Sequence, residues 1–251
     1  MLQLDKVTRN FHGLVALNSV SMQVPTGQVT GLIGPNGAGK TTLLNCVSGL
    51  DHATDGKIVF DGQNIERLSV HRITALGMTR TYQNIRLFPE MTVLQNMIVA
   101  QHLQGRASIL HSIFQLPVYY QEEKRLRQHA QDILVQYGLS DVQDVPATTL
   151  SYGDQRRLEM ARALIAHPRL MLLDEPTAGM NPIETEELGR KILEMKAAGI
   201  TVLVIEHDMA LISQVCDTVY VLNFGTIMAH GTPDEVKANP QVIEAYLGKD
   251  D

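Results

Sequence analysis

Cysteine is scarce in this sequence, with Cys46 and Cys216 the only two in 251 residues. They lie far apart and match no metal-ligand spacing, which excludes a disulfide framework and leaves reduced core thiols. The nine histidines are scattered, so no zinc site is visible. Long apolar runs are missing too: no window approaches the roughly 18 uninterrupted residues of a membrane span. The start, MLQLDKVTRN, lacks the basic-then-apolar layout of a secretion signal. The expectation is a chain that stays in the cytosol. Basic residues are outnumbered, 21 Lys and Arg against 27 Asp and Glu, and the net charge of −6 argues against broad electrostatic binding to nucleic acid. Internal repeats, low-complexity runs and long linkers are likewise absent. What is present is a 44% hydrophobic composition in a chain long enough for one large or two small domains.

The stretch that organises the chain is VTGLIGPNGAGKTTLL, residues 29–44. A short apolar strand enters the turn Gly34-Pro35-Asn36-Gly37-Ala38-Gly39, and Lys40, Thr41 and Thr42 open a helix with Leu43, Leu44 and Val47 on one apolar face. Strand, G-x-x-x-x-G-K-[ST], helix is the layout of a phosphate-binding loop. Glycines let the backbone wrap closely around phosphates and point N–H groups inward, and the helix aims its dipole at the same place. Lys40 is expected at the β- and γ-phosphates, and the Thr41 hydroxyl on a Mg²⁺ that bridges them.

Around this loop the periodicities describe an α/β chain with an insertion. LQLDKV alternates weakly, and Val20, Met22 and Val24 alternate cleanly, so the first segment reads as strands. Residues 56–60 make a further strand and 68–76 a helix. Residues 91–104 and 121–137 read as helices, the second with Leu126, Ala130, Ile133, Leu134 and Tyr137 on one side and Gly138 as its cap. The α/β texture returns with a buried strand at 169–173. A helix over 182–198 follows, opened by Asn181 and Pro182 and closed by Gly199. The buried strand TVLVI covers 201–205, strands at 218–223 and 226–230 flank a turn at Phe224-Gly225, and a last helix covers 240–247.

Two constellations carry chemistry. The apolar strand before Asp174 and Glu175 belongs to a chain with a phosphate loop, and parallel sheets bind ligands beyond the carboxyl ends of their strands, so both acids should meet the nucleotide. Asp174 is placed to support Mg²⁺, and Glu175 to orient the water that attacks the γ-phosphate. Residues 150–164, LSYGDQRRLEMARAL, begin with a capping-box pattern, Ser151 with Asp154, and continue as an amphipathic helix.

Together these segments resemble the ATP-binding cassette (ABC) ATPase family over nearly the whole chain. The resemblance implies an α/β, P-loop NTPase (RecA-like) core with an antiparallel β subdomain and an inserted α-helical subdomain. The core would take residues 1–83 and 160–251, and the helical subdomain residues 84–159, all within one ABC ATPase domain. It implies that Phe11 stacks on adenine and that Gln83, in Arg80-Thr81-Tyr82-Gln83-Asn84, joins the Mg²⁺ shell. It also implies that His207 is the switch histidine sensing the γ-phosphate. Ser151 and Gly153 stand where the family's LSGGQ motif contacts ATP held by a second subunit. Tyr152 and Asp154 depart from that motif, and Asn181 departs from the usual Asp of the subunit-contact loop. TRTYQNIRLFPEMTVLQNM, LLDEPTAGMNPIETEEL, IEHDM and GTPDEVKANPQVIEAYLG look closely like the ATPase subunits of branched-chain amino-acid importers.

The resemblance thus implies an ATPase with ATP and Mg²⁺ that powers import. It would pair head to tail with a second ABC ATPase subunit, the same chain or a sister. Two transmembrane permease subunits and, indirectly, a solute-binding protein are the further partners; nucleic acid is not one. The location implied is cytoplasmic, peripheral on the inner face of the cell membrane. Leucine, isoleucine and valine lead as cargo, with amides and urea as alternatives. The absence of sustained heptads disfavours a soluble, DNA-linked member, and the presence of Lys40, Asp174, Glu175 and His207 disfavours a non-hydrolysing cassette.

Overall fold

A computed structural model describes residues 1–101 and 117–247. The helix expected to reach Gln104 therefore lies partly outside the described residues. The chain divides into two compact units, residues 1–83 with 169–251, and residues 84–168. The second unit contains the helix over 152–164 whole, whereas a boundary at 159 would divide it. No described helix is long and apolar enough to cross a membrane.

In the first unit, β1 (Leu2–Phe11) and β2 (Leu14–Val24) pair antiparallel. Next come β3 (Val29–Ile33), α1 (Lys40–Ser48), β4 (Asp55–Phe60) and the short β5 (Gln63–Asn64). Strands β2-β1-β4-β5, in that order, make an antiparallel sheet. The weak alternation of LQLDKV has a cause: the β1–β2 register shifts between Leu4 and Val7, and Lys6 takes φ 50°. Such a bulge moves the inward face by one residue.

After α2 (Val70–Ala75) and β6 (Met78–Arg80) the chain passes through the second unit and returns in β7 (Leu170–Asp174) and β8 (Thr201–Ile205). Strands β9 (Thr218–Asn223) and β10 (Thr226–Gly231) complete a six-stranded sheet of order β10-β9-β3-β8-β7-β6. Only the β9–β10 pair is antiparallel in it. Every residue of β3, β7 and β8 is buried, as their unbroken apolar character requires of central parallel strands. One core joins the two sheets through α1, with Leu43, Leu44, Cys46 and Val47 packed among Leu2, Leu17, Ile58, Leu172 and Leu203. Burial pushes the Cys46 thiol up to about 11 and that of Cys216 up to about 12, so both stay protonated and unreactive.

The second unit holds α3 (Val93–Ala100), α4 (Pro117–Gln136) and α5 (Tyr152–Leu164). Thr92 and Gln95 form a full capping box at the start of α3. Buried Asn96 donates to the carbonyls of Phe88 and Thr92 and accepts from the Phe88 N–H, which fixes the loop before the helix. Ala130, Ile133, Leu134 and Tyr137 are buried on one side of α4 and just past its end. In the first unit again, α6 (Pro182–Ala197), α7 (Met209–Val215), α8 (Pro233–Lys237) and α9 (Pro240–Leu247) cover the connections and the end.

One glycine tests the sheet. Gly56 in β4 has φ 90°, and a Cβ there would stand 2.4 Å from the Lys6 carbonyl oxygen and 2.7 Å from that of Asp5. Both neighbours are backbone and cannot swing away, so Gly56→Ala should lower stability by about 2 kcal/mol or more. A urea unfolding midpoint equal to that of the parent would show that β1 can move off β4.

Candidate functional site

The site begins where β3 leaves the sheet. Gly34 has φ 152°, and a Cβ there would fall 2.0 Å from the Leu222 carbonyl oxygen of β9, so only glycine lets the loop pass. The loop ends at Gly39, the N-cap of α1. No side chain caps this end and no acid lies in the first turn. The first N–H groups of α1 and its positive dipole end are thus left for an anion. Lys40 is buried and donates to the carbonyls of Gly34 at 2.6 Å and Pro35 at 3.1 Å. Burial holds its pKa below the ordinary lysine value, against the opposing pull of Glu175 and Asp174.

This loop walls a cleft of ≈ 540 Å³. Its lining includes Asn36, Gly37, Ala38, Gly39, Lys40, Thr41 and Thr42, together with Phe11, Leu14, Val15, Gln83, Glu175 and Phe224. The Phe11 ring is exposed and carries the Arg9 guanidinium 4.3 Å from its centre; Arg9 is held there by Asp51 at 2.6 Å. Gly34 and Pro35 lie behind Lys40 as its acceptors, and the phenol of Tyr246 in α9 meets the Gly34 backbone.

Strands β7 and β8 end side by side, Asp174 opposite Ile205. Asp174 is buried and its Oδ2 accepts from Arg80 at 2.8 Å; the same guanidinium donates to Asn45 at 2.8 Å and Ser48 at 2.9 Å, both on α1. Glu175 follows with φ 46°, a left-handed conformation that costs a non-glycine residue about 1 kcal/mol. Its Oε2 accepts from the Gln83 side-chain amide at 2.8 Å. His207 follows β8 with its side chain 62% exposed, and neither it nor Asp174 lines the cleft wall. Thr41, Gln83 and Asp174 offer a hydroxyl, an amide oxygen and a carboxylate, a hard oxygen set that fits Mg²⁺. Among the described residues no three His, Cys, Asp or Glu cluster as a ready metal cage. An ion completed by substrate phosphates and water needs none.

Ser151 and Gly153 belong to the other compact unit, at the start of α5. The expected capping box is only half formed. Ser151 Oγ accepts from the Asp154 N–H at 3.1 Å, but the Asp154 carboxylate takes the Ser151 hydroxyl at 2.8 Å and Arg157 rather than the Ser151 backbone N–H. Aspartate is one methylene shorter than the glutamate of a full box. Asn181, by contrast, makes the complete box at α6: its Oδ1 accepts from Ile183 and Glu184, and Glu184 accepts from the Asn181 N–H.

Sequence reasoning passed over Arg80 and Glu206. Glu206, directly after β8, is 0% exposed and accepts backbone N–H bonds from Thr177 and His207. Glu206 follows a short apolar strand beside the one that ends in Asp174, whereas Arg80 follows only Met78 and Thr79 in β6 and carries no local signal. Removing Arg80 would leave Asp174 buried without its hydrogen-bonded cation, so Arg80→Ala should cost about 3 kcal/mol or more. Urea unfolding of that variant checks the value; a loss under about 1 kcal/mol, the worth of an exposed pair, would mean the pair is solvated.

The ABC transporter family profile matches residues 17–178, and that of the branched-chain amino acid ATP-binding cassette transporters matches residues 226–251. The chain is 43% identical over 250 residues to the high-affinity branched-chain amino acid transport ATP-binding protein BraF of Pseudomonas aeruginosa, covering 99% of this chain and 98% of that one. LivG of Escherichia coli, a protein of the same description, is 41% identical over 250 residues with the same coverage. A nucleotide-free crystal structure of an ATP-binding cassette from an ABC transporter is 33% identical and superposes with a TM-score of 0.85 over 99% of both chains. Another cassette, crystallised in its ADP conformation, is 34% identical with a TM-score of 0.85 and 99% of both chains covered. The α/β core with its phosphate loop and strand-end acids is accordingly that of an ATP-binding cassette, and the chain belongs to the ABC transporter family, on the branch of its branched-chain amino acid ATP-binding proteins.

Proposed function

We propose that this chain is the ATP-hydrolysing subunit that powers an importer of branched-chain amino acids. The observation that carries the reading is one cleft lined by the phosphate loop, Lys40, Gln83 and Glu175, with Gln83 bonded to Glu175 at 2.8 Å. The names of the relatives at 41–43% identity and the profile at 226–251 support leucine, isoleucine and valine over amides or urea. The ADP-bound cassette at 34% identity supports an adenine nucleotide as ligand.

In this reading the loop amides and the N-terminus of α1 hold the phosphates and Lys40 reaches the β- and γ-phosphates, exchanging loop carbonyls for phosphate oxygens. Phe11 offers its exposed ring to adenine. Glu175 orients the attacking water, with its Gln83 bond fixing the carboxylate; positioning matters more than basicity, because an ordinary carboxylate is a weak base toward water. Thr41, Gln83 and Asp174 would hold Mg²⁺, which when bound neutralises charge developing between the β- and γ-phosphates. His207 senses the γ-phosphate. Ser151 and Gly153 offer an anion site to ATP held by a second cassette, the same chain or a sister, in a head-to-tail dimer. ATP favours the closed pair because it binds that state better. Two permease subunits supply the path through the membrane, a solute-binding protein delivers the cargo, and this chain sits peripherally on the cytoplasmic face. The helical insertion, residues 84–150, carries the groove for the permeases.

Glu175→Gln should keep ATP binding, lose turnover by at least about a hundredfold, and accumulate an ATP-bound dimer in size-exclusion chromatography. Normal turnover in that variant would remove Glu175 from its role. For the cargo, the chain should co-purify with its permease subunits, and reconstituted vesicles should take up leucine, isoleucine and valine in an ATP-dependent way. Preferential uptake of amides or urea would reassign the solute while leaving the ATPase reading intact.

A further inference from the structure

Glu206 is a carboxylate at the heart of the first unit, 0% exposed, and among the described residues no lysine or arginine pairs with it. The His207 ring, its nearest basic group, stands 3.7 Å away with a largely exposed side chain. Four donors satisfy the buried charge instead, and they divide between its two oxygens. Oε1 accepts from the Thr177 N–H at 2.8 Å and the Thr177 hydroxyl at 2.6 Å. Oε2 accepts from the N–H groups of His207 at 3.0 Å and Asp208 at 3.4 Å. One oxygen thus serves the loop that follows Glu175, and the other serves the loop that carries His207.

Both loops are anchored again on their far sides. Beyond Thr177, the Ala178 N–H returns to the Glu175 carbonyl at 3.2 Å and Asn181 closes the segment as the cap of α6. Beyond His207, Asp208 caps α7 through the N–H groups of Ala210 and Leu211. Glu175 itself hangs from the Ile205 carbonyl at 3.0 Å, one residue before Glu206. The catalytic glutamate, the loop after it and the histidine loop therefore share one buried fastening point. An apolar residue at 206 would leave four donors without acceptors in a dry site.

We propose that Glu206 is a positioning residue for hydrolysis: its carboxylate keeps His207 and the 175–181 loop in a fixed mutual register, so that histidine and glutamate address the same γ-phosphate. This rests on the reading of Glu175 and His207 given under Proposed function. Glutamine tests it well because its amide has one oxygen and one NH₂ group. Whichever way it turns, the NH₂ faces N–H donors on one loop, and that loop is released.

The experiment measures kcat for ATP hydrolysis and, separately, affinity for a fluorescent ATP analogue in the full-length chain. Glu206→Gln should lower kcat about ten- to a hundredfold, the scale of a misplacement near 1 Å. Affinity should change by less than about twofold, because Lys40 and the phosphate loop are untouched. Thr177→Val, which removes one donor, should lower kcat in the same sense, and Thr177→Ser, which keeps the hydroxyl, should restore it. An unchanged kcat in Glu206→Gln, or parallel losses of kcat and affinity, overturns the proposal. If that variant does not fold, the Thr177 pair decides alone, and equal turnover in Val and Ser overturns it. His207→Ala separates the two levels. Normal turnover there would sink the histidine's role and the proposal built on it, whereas a dead His207→Ala beside a normal Glu206→Gln sinks the proposal only.

Discussion

Crowding of negative charge at the carboxyl ends of two neighbouring central strands is the constraint from which the rest follows. Adjacent strands β7 and β8 end in Asp174-Glu175 and in Glu206, so three carboxylates gather where a phosphate ligand is also to be received. Two like charges about 4 Å apart repel by roughly 4 kcal/mol at an effective dielectric constant near 20. The fold answers with a different partner for each acid. Asp174 has a guanidinium, Glu175 a side-chain amide, and Glu206 a set of backbone and hydroxyl donors. The Arg80 guanidinium is thereby committed to Asp174. What faces the cleft with positive character is the uncapped end of α1 and Lys40.

That division of labour also makes the site stiff. Arg80 does more than neutralise Asp174, because its second nitrogen reaches Asn45 and Ser48 on α1. The helix whose uncapped N–H groups open on the cleft is thereby tied to the strand end that carries the acids. On the other side Glu206 ties the histidine loop to the loop after Glu175. A ligand whose charge spans the cleft meets a frame whose parts do not adjust independently, which is what preorganised electrostatics requires.

How much of this the sequence disclosed depended on whether a feature is local. The five-residue apolar strands β3, β7 and β8, the phosphate loop, and the Asn181-Pro182 start of α6 are local patterns and could be read directly. Strand β6 spans three residues and gives no period. The helices α7 and α8 are shorter than two turns, although Asp208 and the Thr232–Glu235 box announce their starts. The bulge at Lys6 blurs β1. Arg80 and Glu206 stayed hidden for another reason: a charged residue is normally solvated, and only the tertiary arrangement shows that these two side chains are buried among the partners they bind.

The substitutions in the signature segment have a physical consequence that the motif alone does not convey. Ser151 has a single hydroxyl proton, and here it goes to the Asp154 carboxylate, while its oxygen caps the helix through the Asp154 N–H. The phosphate proposed to dock at this helix end would have to take that proton from a neighbouring anion. Arg157 offsets the Asp154 charge, but the pair is partly exposed, and such pairs contribute about 1 kcal/mol or less. Rotating the hydroxyl from carboxylate to phosphate therefore exchanges one charge-assisted bond for another of similar strength. The net attraction at this end must come from the α5 amides and dipole, with Gly153 permitting close approach. Those donors are fixed by the backbone and do not depend on the side chains of Tyr152 and Asp154, so the anion site proposed at Ser151 and Gly153 rests on them.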